Sequence, residues 1–250
     1  MSEQLSVTRY VGFDLETTGI SSFRDSPVSY GFAERRTTDT QTDLRLESGY
    51  IHPGRLIPPG ATAIHGITDA MVANATPIAE AVESLAHTVV DVWGDGGIIV
   101  GMNVSYDLTM VDSLCQRLGL VSLRDRGSIG PILDVLILDR HFDKWRKGSR
   151  KLVDLCQHYG VDLACAHSAA DDALASLLVL DVMRERFRDI DAMETTDLTV
   201  VQRAWYREWL QSFSTFREKQ GGAPVAPGEF EWPIQTDDEL ETYRYSKLVS

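Results

Sequence analysis

A short, uninterrupted apolar run near the middle of the chain sets the strongest limit on its fold. Residues 98–102 hold four apolar side chains and one glycine, directly after Gly96 and Gly97. Such a run is typical of a strand that is buried on both faces. A helical pattern follows it over about residues 106–118. Because buried strands that alternate with helices build α/β sheets, the sequence predicts an α/β fold.

Further strand and helix patterns extend this prediction in both directions. Alternation over residues 10–15 predicts a strand, and weaker patterns over residues 28–35 and 43–52 predict a meander with it. Thr76 before Pro77 is a candidate N-cap with proline at the first helical position. A short strand is predicted at residues 131–133, and helices are predicted over residues 134–142, 151–159 and 169–188.

The character of the chain changes after residue 189. A helical pattern over residues 196–219 carries an apolar stripe, and an acidic tail with prolines follows it. The stripe consists of Trp205, Trp209, Phe213 and Phe216. The sequence therefore predicts one domain over residues 1–190, and a C-terminal helix and acidic tail over residues 191–250. The stripe either packs on the core of this chain or docks a partner protein.

Acidic side chains stand at the ends of two predicted strands. Asp14 and Glu16 lie two residues apart, so both carboxylates project from one face near the carboxyl end of the first strand. Asp107 falls in the first turn of the helix after the buried strand. Its negative charge there could also simply interact favourably with the helix dipole. Since α/β sheets bind ligands at the carboxyl ends of their strands, these acids are candidate metal ligands.

A third acidic segment opens the helix predicted from residue 169. Ser168 with Asp171 three residues later matches a capping box, which makes Ser168 the predicted N-cap. The cap accounts for Asp171, and Asp172 is then free to face a metal ion. Five residues of helix turn through about 500°, so His167 can reach over the same site only from the loop before the helix.

The charge of the chain argues at first against a nucleic-acid partner. The formal net charge is −13, whereas phosphate binding usually leaves a basic footprint. Bound divalent cations would cancel part of the acidic charge at a site. One dense basic segment, residues 140–151, holds six Lys or Arg against one acid. We expect Arg146, Lys147 and Arg150 to contact phosphates behind a terminal nucleotide; the alternative is a solvated surface.

Two classes of protein are not expected from the composition. The first nine residues are polar, and no stretch approaches the roughly 18 apolar residues of a membrane helix, so we expect a cytoplasmic protein. Cys115, Cys156 and Cys165 form no Cys-x-x-Cys pair. They predict small buried side chains rather than a disulfide framework or a zinc site.

Three short motifs follow one another along the chain. They are Asp-x-Glu-Thr-Thr-Gly at residues 14–19, Asn-x-Ser-Tyr-Asp at 103–107 and His-x4-Asp at 167–172. The ordered set resembles the exonuclease motifs of the DEDDh family of 3′-to-5′ exonucleases, whose best-known member is the proofreading epsilon subunit of bacterial DNA polymerase III. Residues 63–68 also resemble a segment of that family. The resemblance covers about residues 8–188, and residues 28–32 are less apolar than the usual second strand.

The resemblance implies a ribonuclease-H-like fold, with a mixed five-stranded sheet whose second strand is antiparallel and with helices on both faces. It also implies hydrolysis of DNA from a single-stranded 3′ end, with release of 5′-mononucleotides. Four carboxylates are implied to hold two divalent metal ions, Mg²⁺ or Mn²⁺. These are the carboxylates of Asp14, Glu16, Asp107 and Asp172.

The resemblance assigns further roles around the metal site. His167 is implied to act as the general base that takes the proton of the attacking water, a role that suits an imidazole at neutral pH. Thr17, His65 and Asn103 are implied to frame the terminal nucleotide. All of these assignments are expectations for the structure.

Other functions remain open at this point. The same site chemistry serves either sugar and no motif here recognises a 2′-hydroxyl, so an exoribonuclease or an oligonucleotide-clearing nuclease is an alternative. A DNA polymerase subunit is a possible partner of the enzyme. A binding module that docks a polymerase through the helix over residues 196–219 is an alternative of another class.

Overall fold

A mixed sheet forms the centre of this computed structural model, which describes residues 8–38, 40–162 and 168–237. The strands are β1 (Thr8–Thr17), β2 (Pro27–Thr37), β3 (Thr42–His52), β4 (Thr76–Pro77), β5 (Ile98–Gly101) and β6 (Ile132–Asp134). Their order within this described part is β4-β3-β2-β1-β5-β6. Strand β2 is antiparallel to β1 and β3, whereas β5 runs parallel to β1 and β6 parallel to β5. The predicted α/β class and the antiparallel second strand are confirmed.

The described sheet has one strand more than the five predicted. The additional strand, β4, is two residues long and pairs in parallel with Ile51 and His52. The prediction of Thr76 as the N-cap of the next helix is wrong by one residue, because Pro77 occupies that position. The physical reason is local: a residue before proline prefers extended backbone, so Thr76 begins the short strand β4 instead of opening a helix.

Helices cover both faces of the sheet. They are α1 (Pro59–His65), α2 (Asp69–Val72), α3 (Ile78–Gly94), α4 (Val104–Leu118), α5 (Val135–Phe142), α6 (Leu152–Tyr159), α7 (Ala169–Arg186), α8 (Asp189–Ala192) and α9 (Thr195–Lys219). The ends of α4 to α7 and of α9 lie within two residues of the predicted ones. The sequence did not predict α1, α2 and α8, because helices this short hardly repeat an apolar period.

The structure also tests the two predictions from composition. Over the ranges described, no helix combines the length and the apolar character needed to cross a membrane. Cys115 and Cys156 are buried and form no disulfide, as predicted. Cys165 lies outside the described residues.

Alternation along β1 divides the core into two layers. Val11, Phe13 and Leu15 pack with α3 and α4 on one face of the sheet. Residues of the other parity, beginning with Tyr10, face α6 and α7. Asp14 has the parity of Tyr10, so its side chain projects from the face that α7 covers.

Two glycines let α7 lie close against that face. A methyl group added at Gly12 would stand closer than 3.0 Å to the carbonyl oxygen of Ala173, and one at Gly31 would stand equally close to the backbone of Ala169. Gly31 is also the cross-strand partner of Asp14. The first turn of α7 can therefore approach Asp14 because no side chain separates them.

Helix α9 packs on the core through a face that the sequence did not predict. The buried residues repeat every four positions: Leu198, Gln202, Tyr206, Leu210 and Ser214. The predicted stripe lies beside this face, with Trp205 and Trp209 partly buried. Phe213 and Phe216 remain 38% and 59% exposed. The hypothesis that the stripe packs on this chain's own core therefore holds for its tryptophans only.

Polar side chains of α9 explain the shift of the buried face. Strand β6 ends the described sheet, so one of its edges presents backbone groups that need partners. The buried amide of Gln202 accepts a hydrogen bond from the N–H of Asp134 at 2.8 Å and donates one to the carbonyl of Ile132 at 2.8 Å. Helix α9 thus takes the place of a further strand.

The basic segment is partly structural. The carboxylate of Asp139 is fully buried and receives hydrogen bonds from Arg146, Arg150 and the hydroxyl of Tyr159. The expectation that Arg146 and Arg150 contact phosphates is therefore corrected, because their guanidinium groups neutralise a buried charge of this chain. Lys147 of the same loop is exposed.

We predict that Gly31→Ala lowers the stability of the protein by about 1–3 kcal/mol, because the methyl group must push α7 away from β2. Thermal unfolding measures the effect, at about 2–4 °C of Tm per kcal/mol in a chain of this size. Gly60→Ala is the matched control, since nothing lies within 4 Å of a methyl group there. An unchanged Tm for Gly31→Ala would contradict the close approach.

We predict that replacing Arg146 and Arg150 together by alanine costs about 3–5 kcal/mol of stability, because the carboxylate of Asp139 is then buried without a counter-charge. Chemical denaturation measures the loss. Lys147→Ala removes a positive charge from the same loop and should leave the midpoint unchanged. Equal midpoints for both variants would show that Asp139 does not depend on the two arginines.

Candidate active site

Three carboxylates meet at the carboxyl end of β1. Asp14 and Glu16 belong to this strand, and Asp172 belongs to the first turn of α7. One ligand oxygen from each lies within 4.8 Å of the other two, and all three residues are half-buried. Carboxylate oxygens are the ligands that Mg²⁺ and Mn²⁺ prefer. The cluster therefore has the donor atoms for a divalent metal ion.

A fourth carboxylate reaches the cluster from α4. Asp107 is only 4% exposed, and the backbone groups of Asp107 and Leu15 favour its charged form. Burial nevertheless raises the pKa of Asp107 well above its usual value. The effect of Leu15 on this pKa places the carboxylate beside β1, between the two strand residues of the cluster.

Burial and mutual repulsion make this cluster difficult to ionise. The pKa of Asp14 is raised well above its usual value, first by burial and then by the charges of Asp107, Asp172 and Glu16. The pKa of Glu16 is raised to about 7, again first by burial and then by Asp172. A bound cation would relieve both the repulsion and the loss of hydration, so the residues present fit a metal ion.

The loop after β1 is held by two hydroxyl groups. Thr17 donates from Oγ1 to the carbonyl of Gly19 at 2.7 Å, and the phenol of Tyr106 donates to the same carbonyl at 2.6 Å. The two hydroxyl oxygens are 3.1 Å apart. Sequence analysis selected Thr17 but missed Tyr106, although Tyr106 stands directly before Asp107 in the second motif.

Asn103 lies at the N-cap of α4 in a left-handed backbone conformation, with φ of 61° and an exposed side chain. Asparagine tolerates this conformation better than most residues. Its backbone N–H donates to the carboxylate of Asp134 at 3.0 Å, which also accepts from the N–H of Leu136 at 3.0 Å. Asp134 thus links the starts of α4 and α5.

Asp134 lies beside the candidate site, and the sequence analysis did not select it. It is 1% exposed, and burial raises its pKa to about 6. The available signal was its place at the carboxyl end of a predicted strand, the same edge of the sheet where Asp14 lies. Without a motif, that signal did not separate it from an ordinary helix N-cap.

The start of α7 differs in detail from the prediction. Ser168 occupies the N-cap position, but its side chain makes no capping hydrogen bond. The predicted capping box is therefore wrong, and only the carbonyl of Ser168 takes part, by accepting from the N–H of Asp172 at 2.9 Å. His167 lies outside the described residues.

His65 lies near this helix start, in a cavity lining that it shares with Ser168. It ends α1, and its Nδ1 accepts a hydrogen bond from the N–H of Ile67 at 3.0 Å. The side chain lines a cavity of about 390 Å³ together with Tyr30, Ser168 and other residues. The structure therefore brings Asp14, Glu16 and Asp172 together with the charge of Asp107 close by, and it places His65 in a cavity lining beside Ser168.

Most of this chain is similar to known sequences. The sequence model of the RNase_T family, described as exonuclease, matches residues 11–180. The PolC-type DNA polymerase III of Caldanaerobacter subterraneus subsp. tengcongensis is 27% identical over 195 residues, which are 77% of this chain but 13% of that protein. The DNA polymerase III epsilon subunit of Treponema pallidum is 25% identical over 178 residues, or 70% of this chain and 75% of the relative.

Solved structures agree with the fold. Exonuclease I of E. coli, solved in complex with a dA16 oligonucleotide, superposes on this chain with a TM-score of 0.59 at 20% sequence identity. The superposition covers 73% of this chain and 42% of the exonuclease I chain. The ribonuclease-H-like fold is thereby confirmed. This chain spans a small part of the PolC relative and less than half of exonuclease I, so the activities of those whole proteins do not transfer to it directly. The family match covers more than half of the chain, and the chain belongs to the exonuclease family that RNase_T describes.

Proposed function

We propose that this chain is a metal-dependent 3′-to-5′ exonuclease that hydrolyses the terminal phosphodiester of DNA and releases 5′-mononucleotides. The convergence of carboxylates from β1, α4 and α7 at one strand end carries the proposal. Relatives named for DNA polymerase III and a similar fold solved with a DNA oligonucleotide support DNA as the substrate. A single-stranded 3′ end is the form of DNA that we propose it binds.

The proposed ligands of two Mg²⁺ or Mn²⁺ ions are Asp14, Glu16, Asp107 and Asp172. When bound, such ions supply Lewis-acid stabilisation of the charge that develops on the phosphoryl oxygens. The residues of the chain place the reacting groups: we propose that Thr17, His65 and Asn103 frame the terminal nucleotide. A scissile phosphate held above the carboxyl end of β1 then lies against the carboxylate cluster.

The reaction requires a group that accepts the proton of the attacking water. Water attacks the terminal phosphorus, the bond to the 3′ oxygen of the preceding nucleotide breaks, and that oxygen takes a proton from solvent. The water loses its own proton, and we propose that His167 accepts it. This assignment rests on the third motif alone, because His167 lies outside the described residues.

The partly buried tryptophans of α9 weigh against a module whose only role is to dock a polymerase. A DNA polymerase subunit stays a proposed partner of the enzyme, supported by the names of the relatives. An exoribonuclease is the alternative within nucleases. The rates of cleavage of matched 5′-labelled single-stranded DNA, duplex DNA and RNA decide whether the enzyme prefers DNA or RNA.

We predict that Asp14→Ala, Asp107→Ala or Asp172→Ala lowers the cleavage rate at least about a hundredfold, because each removes a ligand of the reacting centre. The fold should persist, since loss of one acid relieves repulsion in the cluster. Release of mononucleotides from 5′-labelled single-stranded DNA with Mg²⁺ or Mn²⁺ measures the rate. Asp171→Ala, a neighbouring acid of the same turn, is the matched control and should retain most activity.

Two further readouts belong to that experiment. EDTA should stop the reaction, and a 3′-phosphate on the substrate should block it by occupying the place of the terminal hydroxyl. Cleavage that proceeds equally well from a blocked 3′ end would reject the proposed polarity. An inactive Asp171→Ala beside an active Asp172→Ala would reject the assignment of the metal ligand on α7.

We predict that the metal-free protein loses stability as the pH rises, because of Glu16. Its pKa is about 7 in the folded protein, whereas the ordinary value of a glutamate side chain, which we take for the unfolded chain, is 4.5. The folded form therefore binds more protons. Its contribution is therefore complete below pH 4.5 and is lost as the pH rises through about 7. Removal of this ionisation by Glu16→Gln should raise Tm at pH 8 by at least about 2 °C in EDTA.

The pH dependence has an internal control. At pH 4 the carboxyl of Glu16 is protonated, so the wild type and Glu16→Gln should unfold at nearly the same temperature. Saturating Mg²⁺ at pH 8 should stabilise the wild type more than the variant, because the ion binds the folded state through Glu16. Equal Tm values at pH 8 with EDTA would contradict the electrostatic account of the cluster.

A further inference from the structure

A second cavity, of about 300 Å³, lies between α5, the loop over residues 143–150 and α9. Its lining contains none of the four carboxylates of the active site. Basic and aromatic side chains dominate it: Arg140, Lys144, Trp145, Trp205 and Trp209, with Glu208 as an acid at the wall. Aromatic rings interleaved with cations are the usual surface for single-stranded nucleic acid.

The inner wall of this cavity is rigid. The guanidinium of Arg140 stacks on Trp209 with 3.4 Å between the guanidinium carbon and the ring centroid. His141 stacks on Trp205 with 3.7 Å between the ring centroids. Burial lowers the pKa of Arg140 to about 10, so the side chain still carries its charge at neutral pH. The wall therefore presents a fixed positive charge between aromatic planes.

The outer wall is open to solvent. Trp145 is 86% exposed, and the Nζ atom of Lys144 lies 5.7 Å from the centroid of its ring. This largely exposed indole offers a flat stacking face beside a cation. Over the described ranges, no other residue of the chain covers that face. The loop itself is anchored: Arg150 donates to the carbonyl of Asp143 at 2.9 Å and pairs with the buried Asp139. The buried ion pair therefore presents Lys144 and Trp145 in a defined position.

Helix α5 connects the start of α4, next to the active site, to the cavity. Asp134, whose carboxylate binds the backbone of Asn103, is the N-cap of α5. At about 1.5 Å of rise per helical residue, Arg140 stands about 9 Å along the axis from Asp134. A stacked strand advances about 3.4 Å per nucleotide, so this distance corresponds to about three nucleotides.

We propose that this cavity is an upstream subsite for single-stranded nucleic acid, in which a base stacks on Trp145 while Lys144 and Arg140 face the phosphates. The proposal rests on the proposed exonuclease function and extends it to nucleotides behind the 3′ end. Glu208 opposes binding, because its carboxylate lies 3.9 Å from Lys144 Nζ and competes with a phosphate for that cation. Substitutions at Lys144 and Glu208 should therefore act in opposite directions.

The test measures binding separately from cleavage. The full chain with Asp14→Asn, which stops hydrolysis, is titrated with 5′-fluorescein oligothymidylates of two and eight nucleotides in Mg²⁺, with anisotropy as the readout. Trp145→Ala and Lys144→Ala should each weaken binding of the octamer about tenfold, as loss of one stacked base or phosphate contact does. The dinucleotide should bind unchanged, because it does not reach the cavity. Glu208→Gln should tighten binding of the octamer.

Two controls separate the cavity from general surface charge. Lys147→Ala removes a cation from the same loop outside the cavity lining and should change the Kd less than twofold. Trp145→Phe keeps a stacking face and should bind nearly as the wild type does. A parallel series with octauridylate shows whether the subsite accepts RNA, and binding of either single strand through Trp145 supports the proposal.

Several outcomes would overturn the subsite. They are an unchanged octamer Kd in Trp145→Ala, an equal loss with the dinucleotide, or an equal loss in Lys147→Ala. Failure of the proposed function looks different. A wild-type chain that cleaves no substrate but binds the octamer through Trp145 rejects the nuclease function and keeps the binding site, whereas a cleaving protein without dependence on Trp145 rejects the subsite alone.

Discussion

Repulsion among buried carboxylates is the constraint on which the rest of this structure depends. Asp14 and Asp107 are held against one another and against Glu16 and Asp172, at a point where burial already disfavours charge. Mutual repulsion works against such a cluster, so neighbouring elements must hold its members in place. Asp107 of α4 lies beside the backbone of Leu15, and the missing side chain at Gly31 lets α7 lie directly on the sheet. A divalent cation would turn this repulsion into attraction.

The C-terminal helix belongs to the support of this site, although the family match ends at residue 180. Gln202 of α9 pairs with the backbone of β6 at Asp134, and the carboxylate of Asp134 holds the backbone of Asn103 at the start of α4. A continuous set of hydrogen bonds thus runs from α9 to the helix that carries Asp107. The predicted boundary at residue 190 therefore separates segments of sequence that share one core.

Two arginines of the basic segment neutralise a buried carboxylate of this chain, which their number in the sequence did not indicate. The sequence distinguished the segment but not the partners of its residues, since Asp139 lies in α5 and the arginines that neutralise it lie in the loop that follows. Two of the strongest candidates for phosphate contacts are therefore structural. Lys144 and Trp145 of the same loop are exposed, and that ion pair holds their loop in place.

The sequence by itself determined the α/β class, most element ends, and the identity of the acids at the strand ends, because apolar periodicity and strand parity are local properties. Only the tertiary structure decided which acids meet, which face of α9 is buried, and what Tyr106 and Asp134 contact. Those outcomes depend on pairs that are distant in the chain, such as Tyr106 with Gly19 and Gln202 with Ile132. The chain's local pattern does not indicate such pairs, since Gly19 and Ile132 take part through backbone carbonyls, which every residue has.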